Sequence, residues 1–460
     1  MLEAPAEGAS DALDRDRAGW DGRPGGEASA AALALAHEVA ARVADAGRLQ
    51  TAIASAPRQT VFPHVVYWQP WGVAQGDAGL ALLCGYMDAC FPGEGWDLAA
   101  HELLFSAVRG AERAGGLPCD LFAGLGGLAF VTWYLSRGGA RYERLLAAIE
   151  QVLLPEVIAQ SRALARQTRG CSVRQFDVIS GLSGVGAYLL RRAGREQPAE
   201  ALHAVLRSLV ALVEPGAGVP RWHTPPGPLM EESMAAMYPH GNLNCGLAHG
   251  IAGPLALMAL ALRDKVQVKG LTDAVRETAA WLTVHRADDA WGVNWPVAVP
   301  LDRSRASAQQ DVALEPSRAA WCYGSPGVAR ALWLAGDALQ DRRLCDLAVE
   351  AMKAVYRRPI VVRRIDSPTF CHGVAGLLQI TLRFAHDTDM VMFDEAAAAL
   401  IEQLRSAYDP DSLLGYRALD PGGRRVDQPG LLDGAPGVAM VLLAAATDVE
   451  PSWDRLFLLS

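Results

Sequence analysis

The sequence predicts an all-α protein, an α/α toroid (a double-layer helical barrel) of seven helix-pair repeats and about fourteen helices. Three observations carry this expectation. A Gly-x-x-Gly unit recurs seven times, opening at Gly76, Gly124, Gly181, Gly250, Gly324, Gly373 and Gly434. An apolar helical run follows each unit, such as GLALLCGYMDA, GLAFVTWYL or GLLQITLRF. Between units lie amphipathic stretches, and no strong two-residue alternation of the kind strands need. One Gly-x-x-Gly is worthless among 45 glycines, but seven in this context are a repeat.

Each unit has a readable physics. Glycine permits tight turns and close backbone approach. Pro326 and Pro436 sit two residues after the first glycine and Pro254 directly after the second, where a helix's first turn tolerates a missing N–H. The helices so opened are apolar nearly all round and are therefore expected to be buried. Their partners are expected in amphipathic segments such as 31–46, 141–154 and 396–408. A linear solenoid of helix pairs is the structural alternative. Residues 1–30, acidic and rich in Gly and Pro, are expected to be a disordered tail, and 31–460 a single domain. Two stretches break the pattern: 214–245, with six prolines, read as an irregular insert, and 288–317.

Composition excludes several classes. Hydrophobic residues make up 51% and charged residues 20%, too apolar for a largely disordered chain. No run approaches the roughly 18–20 apolar residues of a spanning helix, so the apolar content is expected to fill a core. The net charge of −9 without a Lys/Arg cluster argues against nucleic acid as a partner. The N-terminus lacks the features of a secretory signal, which points to the cytoplasm. Eight cysteines in 460 residues are too dilute for a disulfide scaffold. Any that matter should serve as metal ligands or nucleophiles.

Aligning the seven units by phase locates the chemistry. The residues immediately before the first glycine are Gln75, Ala123, Ser180, His249, Tyr323, His372 and Asp433; two before it stand Ala74, Phe122, Ile179, Ala248, Cys322, Cys371 and Leu432. Thiols and imidazoles concentrate in the fourth to sixth repeats. Cys322 and Cys371 share one phase in adjacent repeats, and His372 adjoins the second. Two thiolates and an imidazole suit zinc and leave a fourth position open, as a catalytic zinc requires; the alternative is two small buried hydrophobes. The other six cysteines lack this phase and are expected in the core, with Cys245 near enough to His249 to keep in view. His249 is a candidate catalyst or else a satisfied core residue. Asp177, four residues before Gly181, is a candidate catalyst or a cap. Arg318 and Tyr323 flank Cys322, and either packing or binding of a developing anion accounts for them.

The segments AWCYGSPG (320–327), FCHGVAG (370–376), GLAHGIAG (246–253) and FDVISGLSG (176–184) resemble the lanthionine synthetase C-like family, over roughly residue 31 to the end. The resemblance implies a seven-fold α/α barrel holding one catalytic zinc through Cys322, Cys371 and His372, with His249, Asp177, Arg318 and Tyr323 in the active site and no organic cofactor. It also implies the reaction of the family's bacterial enzymes. A cysteine thiol adds across the C=C of dehydroalanine or dehydrobutyrine in a dehydrated precursor peptide, giving lanthionine or methyllanthionine rings. The chemistry is coherent, because a thiol with a pKa near 8.5 is deprotonated outright on zinc. No kinase-like or lyase-like domain precedes the barrel, so the resemblance implies a stand-alone cyclase with a separate dehydratase. An exporter that draws it to the membrane periphery is a further expected partner. The alternatives are a relative that adds a small thiol such as glutathione to dehydroamino acids, and a zinc-dependent thiol prenyltransferase-like toroid.

Overall fold

The computed structural model describes residues 19–21, 26–214, 218–227, 232–301 and 316–460. Most of the tail expected over 1–30, and parts of the 214–245 and 288–317 stretches, lie outside these residues. The tail's last five residues belong to a helix, Gly26–Ala44. Alanine is the best helix former, and this Ala-rich segment buries Ala32, Ala36, Val39, Ala40 and Val43 along one stripe.

Packing divides the chain into two compact units, one of residues 1–110 and 364–453, the other of 111–363 and 454–460. In the first, the helices opened by Gly-x-x-Gly are Asp77–Cys90, Val374–Thr388 and Ala435–Ala446. They are accompanied by Gly26–Ala44, most of Trp96–Ala114, and Val391–Ala407. In the second unit the core helices are Leu125–Leu135, Leu182–Arg191, Ala252–Arg263 and Ser325–Leu339. Their amphipathic companions are Glu143–Ala165, Glu196–Val213, Leu271–Val284 and Arg342–Arg357. The core helices are largely buried, as expected: every residue from Ala435 to Ala445 is buried, although Ser325–Leu339 also buries Arg330, and Val374–Thr388 buries Gln379 and Arg383. The companion helix expected to end at Leu154 instead runs through Pro155 to Ala165. Burial of Val157 and Leu164 beyond the proline outweighs a propensity cost of about 3 kcal/mol.

The fifth repeat makes plain why the unit needs two glycines. A Cβ on Gly324 would lie 1.7 Å from the Arg318 carbonyl oxygen, and one on Gly327 would lie 2.1 Å from that of Trp321. The preceding loop therefore lies directly against the helix start, with no room for a side chain. Gly324 also has φ +89°, a conformation L-residues avoid. In six repeats the first glycine is the helix N-cap; in the fourth, the cap is Ile251.

The phase alignment has a backbone counterpart. In the second unit, Ala248 N donates to Cys322 O at 3.3 Å. In the first, Cys371 N donates to Leu432 O at 3.1 Å and Leu432 N to Ala74 O at 3.3 Å. All these residues stand two before their first glycine, so consecutive repeats are stitched at one register. Two strand pairs were not expected. Asn242–Asn244 pairs antiparallel with Ala298–Pro300, and Ala418–Leu419 with Arg425–Val426. Strands of two or three residues are too short to display a period, and the first pair lies within the two irregular stretches.

Candidate functional site

In the second unit the structure brings together Asp177, His249 and Tyr323. Asp177 is fully buried, and its Oδ1 accepts from the backbone N–H groups of Ser180 at 2.7 Å and Gly181 at 2.8 Å. Its Oδ2 lies 2.6 Å from His249 Nδ1. The carboxylate thus braces the turn that leads into the helix Leu182–Arg191, whose N-cap is Gly181, and also holds an imidazole, so a turn-forming role and a site role coincide. An ionised carboxylate only accepts, so Nδ1 carries the proton in this contact. A third of the His249 side chain is exposed, which leaves it accessible to a substrate. The Tyr323 ring stands 6.4 Å from the imidazole, centroid to centroid, tilted by 35°.

Asn244, which sequence reasoning missed, completes this group. It ends the strand Asn242–Asn244. Its Oδ1 accepts from Gly246 N at 3.0 Å and its Nδ2 lies 3.3 Å from Tyr323 Oη. Sequence offered only its place five residues before His249, because the partners come together through the strand pairing. A Cβ on Gly246 would come within 2.5 Å of the Tyr323 ring, so a glycine is required where the two loops meet. Cys322 is buried at 6% exposure, and Arg318 is exposed.

Asp120 stands at the same phase in the second repeat as Asp177 in the third, and its Oδ1 accepts from Ala123 N at 2.6 Å. Burial pushes its carboxyl up to about 6, reinforced by the Asp177 charge.

In the first unit, Cys371, His372 and Asp433 offer ligand atoms all within 4.8 Å of one another, and His372 Nδ1 lies 3.5 Å from Asp433 Oδ1. Tetrahedral zinc with bonds of about 2.0–2.3 Å spaces its ligand atoms by roughly 3.3–3.8 Å; these donors fit zinc in kind, and the His372–Asp433 separation of 3.5 Å falls within that spacing. Asp433 Oδ1 is buried without a hydrogen-bond partner, an orphaned acceptor of the sort a cation satisfies. Burial raises the Asp433 carboxyl above its usual range, an effect the His372 ring opposes. Asp433 stands in the phase alignment just before Gly434, but nothing in the sequence singles it out from the other residues of that phase. Cys322 falls in the other unit and is described there.

The remaining cysteines divide by environment. Cys84, Cys119, Cys171, Cys245 and Cys345 are buried, while Cys90 is half-buried, a departure from the expected six core thiols. Burial pushes the thiols of Cys84, Cys119 and Cys171 to about 12 and that of Cys90 to about 11, and raises Cys245 as well. Such thiols resist ionisation near neutrality. Cys245 points into the core, with Sγ 3.7 Å from Leu243 O.

Helices opened by paired glycines, several with thiols, imidazoles or carboxylates just before their starts, are the pattern of a helical toroid class of protein. The model of the family described as "Lanthionine synthetase C-like protein" matches residues 67–458, and the chain belongs to that family. Among curated proteins, it is 26% identical over 307 residues to "Nisin biosynthesis protein NisC" of Lactococcus lactis subsp. lactis, covering 66% of this chain and 71% of that protein. Among solved structures, "Nisin cyclase" superimposes with TM-score 0.73 at 22% identity, over 89% of this chain and 96% of that one. The fold is accordingly the α/α toroid expected. No helix among the described residues is long and apolar enough to cross a membrane.

Proposed function

We propose that this protein is a zinc-dependent lanthipeptide cyclase, closing thioether rings between cysteines and dehydroalanine or dehydrobutyrine in a dehydrated precursor peptide. The Asp177–His249 pair at 2.6 Å, beside Tyr323 in the loop that carries Cys322, is the observation that carries the reading. Family membership sets the reaction class, and the relatives' names supply the cyclisation. The metal reading assigns one zinc to Cys322, Cys371 and His372. It rests on the sequence phase that Cys322 and Cys371 share, each two residues before the first glycine of its unit. When bound, the zinc supplies the Lewis acidity that converts the substrate's thiol to a thiolate near neutral pH.

This chain's residues account for the rest. The sulfur forms a bond to Cβ, the C=C electron pair moves toward the adjacent carbonyl as an enolate, and Cα then takes a proton. His249, protonated on Nε2, gives that proton. Asp177, buried and saturated by backbone donors, orients and stabilises the imidazolium rather than exchanging protons itself. Arg318 and Tyr323 offer donors to the enolate oxygen where charge develops. Such a cyclase requires dehydroamino acids, so a separate dehydratase acts before it on the same peptide. An exporter and a location in the cytoplasm or at the membrane periphery belong to the same reading, as does the treatment of 31–460 as a single domain. The test is incubation of the zinc-loaded protein with a synthetic peptide bearing one dehydroalanine and one cysteine, followed by thiol alkylation and mass measurement. Loss of the alkylatable thiol at unchanged mass supports the reading. A persistent thiol overturns it, and a glutathione adduct formed when that thiol is added would transfer the assignment to the small-thiol alternative.

A further inference from the structure

We propose that Asn244 is a positioning residue that fixes the Tyr323 hydroxyl as a hydrogen-bond donor toward the reacting carbonyl; the inference rests on the cyclase reading. The geometry leaves little freedom. Asn244 is buried at 4% exposure. Its amide cannot be turned over, because the Gly246 N–H at 3.0 Å is a donor and needs the carbonyl oxygen Oδ1. The NH2 group must therefore face Tyr323, and at 3.3 Å it donates to Oη. A phenolic oxygen that accepts from one side directs its own O–H to the other. The Asn244 backbone is equally constrained: its carbonyl accepts from Ile251 N at 2.9 Å, and the residue is paired with Ala298 across the strands. One side chain thereby ties the loop before His249 to the loop that carries Tyr323, and sets which way the tyrosine proton points. The substrate carbonyl bound beside His249 is the acceptor that this orientation serves.

Asn244→Asp separates this role from simple turn-holding. The carboxylate still accepts from Gly246 N, so the turn keeps its bond, but it can no longer donate to Oη and instead accepts the tyrosine proton. Ring closure of the one-dehydroalanine, one-cysteine peptide is measured as kcat and KM for wild type, Asn244→Asp, Tyr323→Phe and the double variant, all zinc-loaded. The expected result is a loss in kcat of roughly 10- to 100-fold in each single variant, up to the lower end of the roughly 10²–10³-fold cost of a lost oxyanion donor. KM should stay within about twofold, and the double variant should be no slower than Tyr323→Phe. Asn244→Asp at the wild-type rate overturns the inference, as do losses that multiply in the double variant. If Asn244→Asp fails to fold, Tyr323→Phe decides alone: full kcat without the hydroxyl overturns the inference. A wild-type protein that leaves the thiol free instead sinks the cyclase reading and this inference with it, which distinguishes the two failures.

Discussion

Replacing Asp177 with asparagine should damage turnover while sparing the fold. The carboxylate makes three short contacts, two from backbone N–H groups to Oδ1 and one from His249 to Oδ2. In Asp177→Asn the amide oxygen keeps both backbone bonds, which puts the NH2 group at the Oδ2 position, 2.6 Å from Nδ1. Nδ1 must then present its lone pair, and the neutral ring carries its proton on Nε2. The imidazolium needed for proton delivery loses a charge-assisted bond of roughly 1.5–3 kcal/mol against about 0.5–1.5 for a neutral one. That difference of about 1–2 kcal/mol corresponds to roughly a five- to thirtyfold loss in kcat, below the 10²–10⁴-fold or so expected for His249→Ala. Stability should move little, whereas Asp177→Ala strands two backbone donors at roughly 1–3 kcal/mol each. The assay is ring closure followed by thiol alkylation and mass, alongside urea unfolding of both variants. Wild-type turnover by Asp177→Asn, or equal destabilisation by asparagine and alanine, would refute the reasoning.

Asp120→Asn should stabilise the protein in a pH-dependent way. Its folded carboxyl sits at about 6, above an unfolded value near 3.9, so the folded state binds the proton more tightly. Stability therefore falls as pH rises through about 4 to 6, and the penalty is full above that window. Asparagine keeps the acceptor for Ala123 N and removes the charge, so unfolding should show a gain of up to about 3 kcal/mol at pH 7.5 that vanishes below about pH 4; an equal gain at both pH values counts against it. Asp433→Asn should weaken zinc binding by roughly 10- to 100-fold, read by competition with a chromophoric chelator, because the carboxylate lies against His372; unchanged affinity would place Asp433 outside the metal site. Gly324→Ala, with φ +89° and a Cβ 1.7 Å from a carbonyl, should cost about 2–5 kcal/mol and appear as a lower Tm; a Tm within a degree or so of wild type would contradict the crowding.

The fold was legible because its unit is local. Paired glycines, a proline in the first turn and an apolar run all lie within a dozen residues, so pattern alone placed seven helix starts. Asp177 and His249 were legible through the same register, since the phase put them at neighbouring helix starts. Asn244 was not, because its role depends on pairing with Ala298–Pro300 across the helix Leu271–Val284, and three-residue strands leave no periodic trace. The helix through Pro155 was hidden for the converse reason: a local breaker signal was overridden by burial that only the folded chain supplies.

The repeats also explain how a symmetric scaffold acquires an asymmetric site. Asp120 and Asp177 stand at one phase and make the same turn, each accepting from the N–H three residues on. The position one repeat later, just before the first glycine, differs: it is Ser180 after Asp120 and His249 after Asp177. Only the second aspartate therefore meets an imidazole, and only there does a turn-forming carboxylate gain a partner that can carry a proton. His372 and Asp433 follow the same logic at the sixth and seventh repeats, where both residues occupy the phase just before the glycine and meet at 3.5 Å. Chemistry in this architecture is thus written between repeats rather than within them. One substitution at a fixed phase can give a turn-forming aspartate an imidazole partner while the turn it forms stays intact.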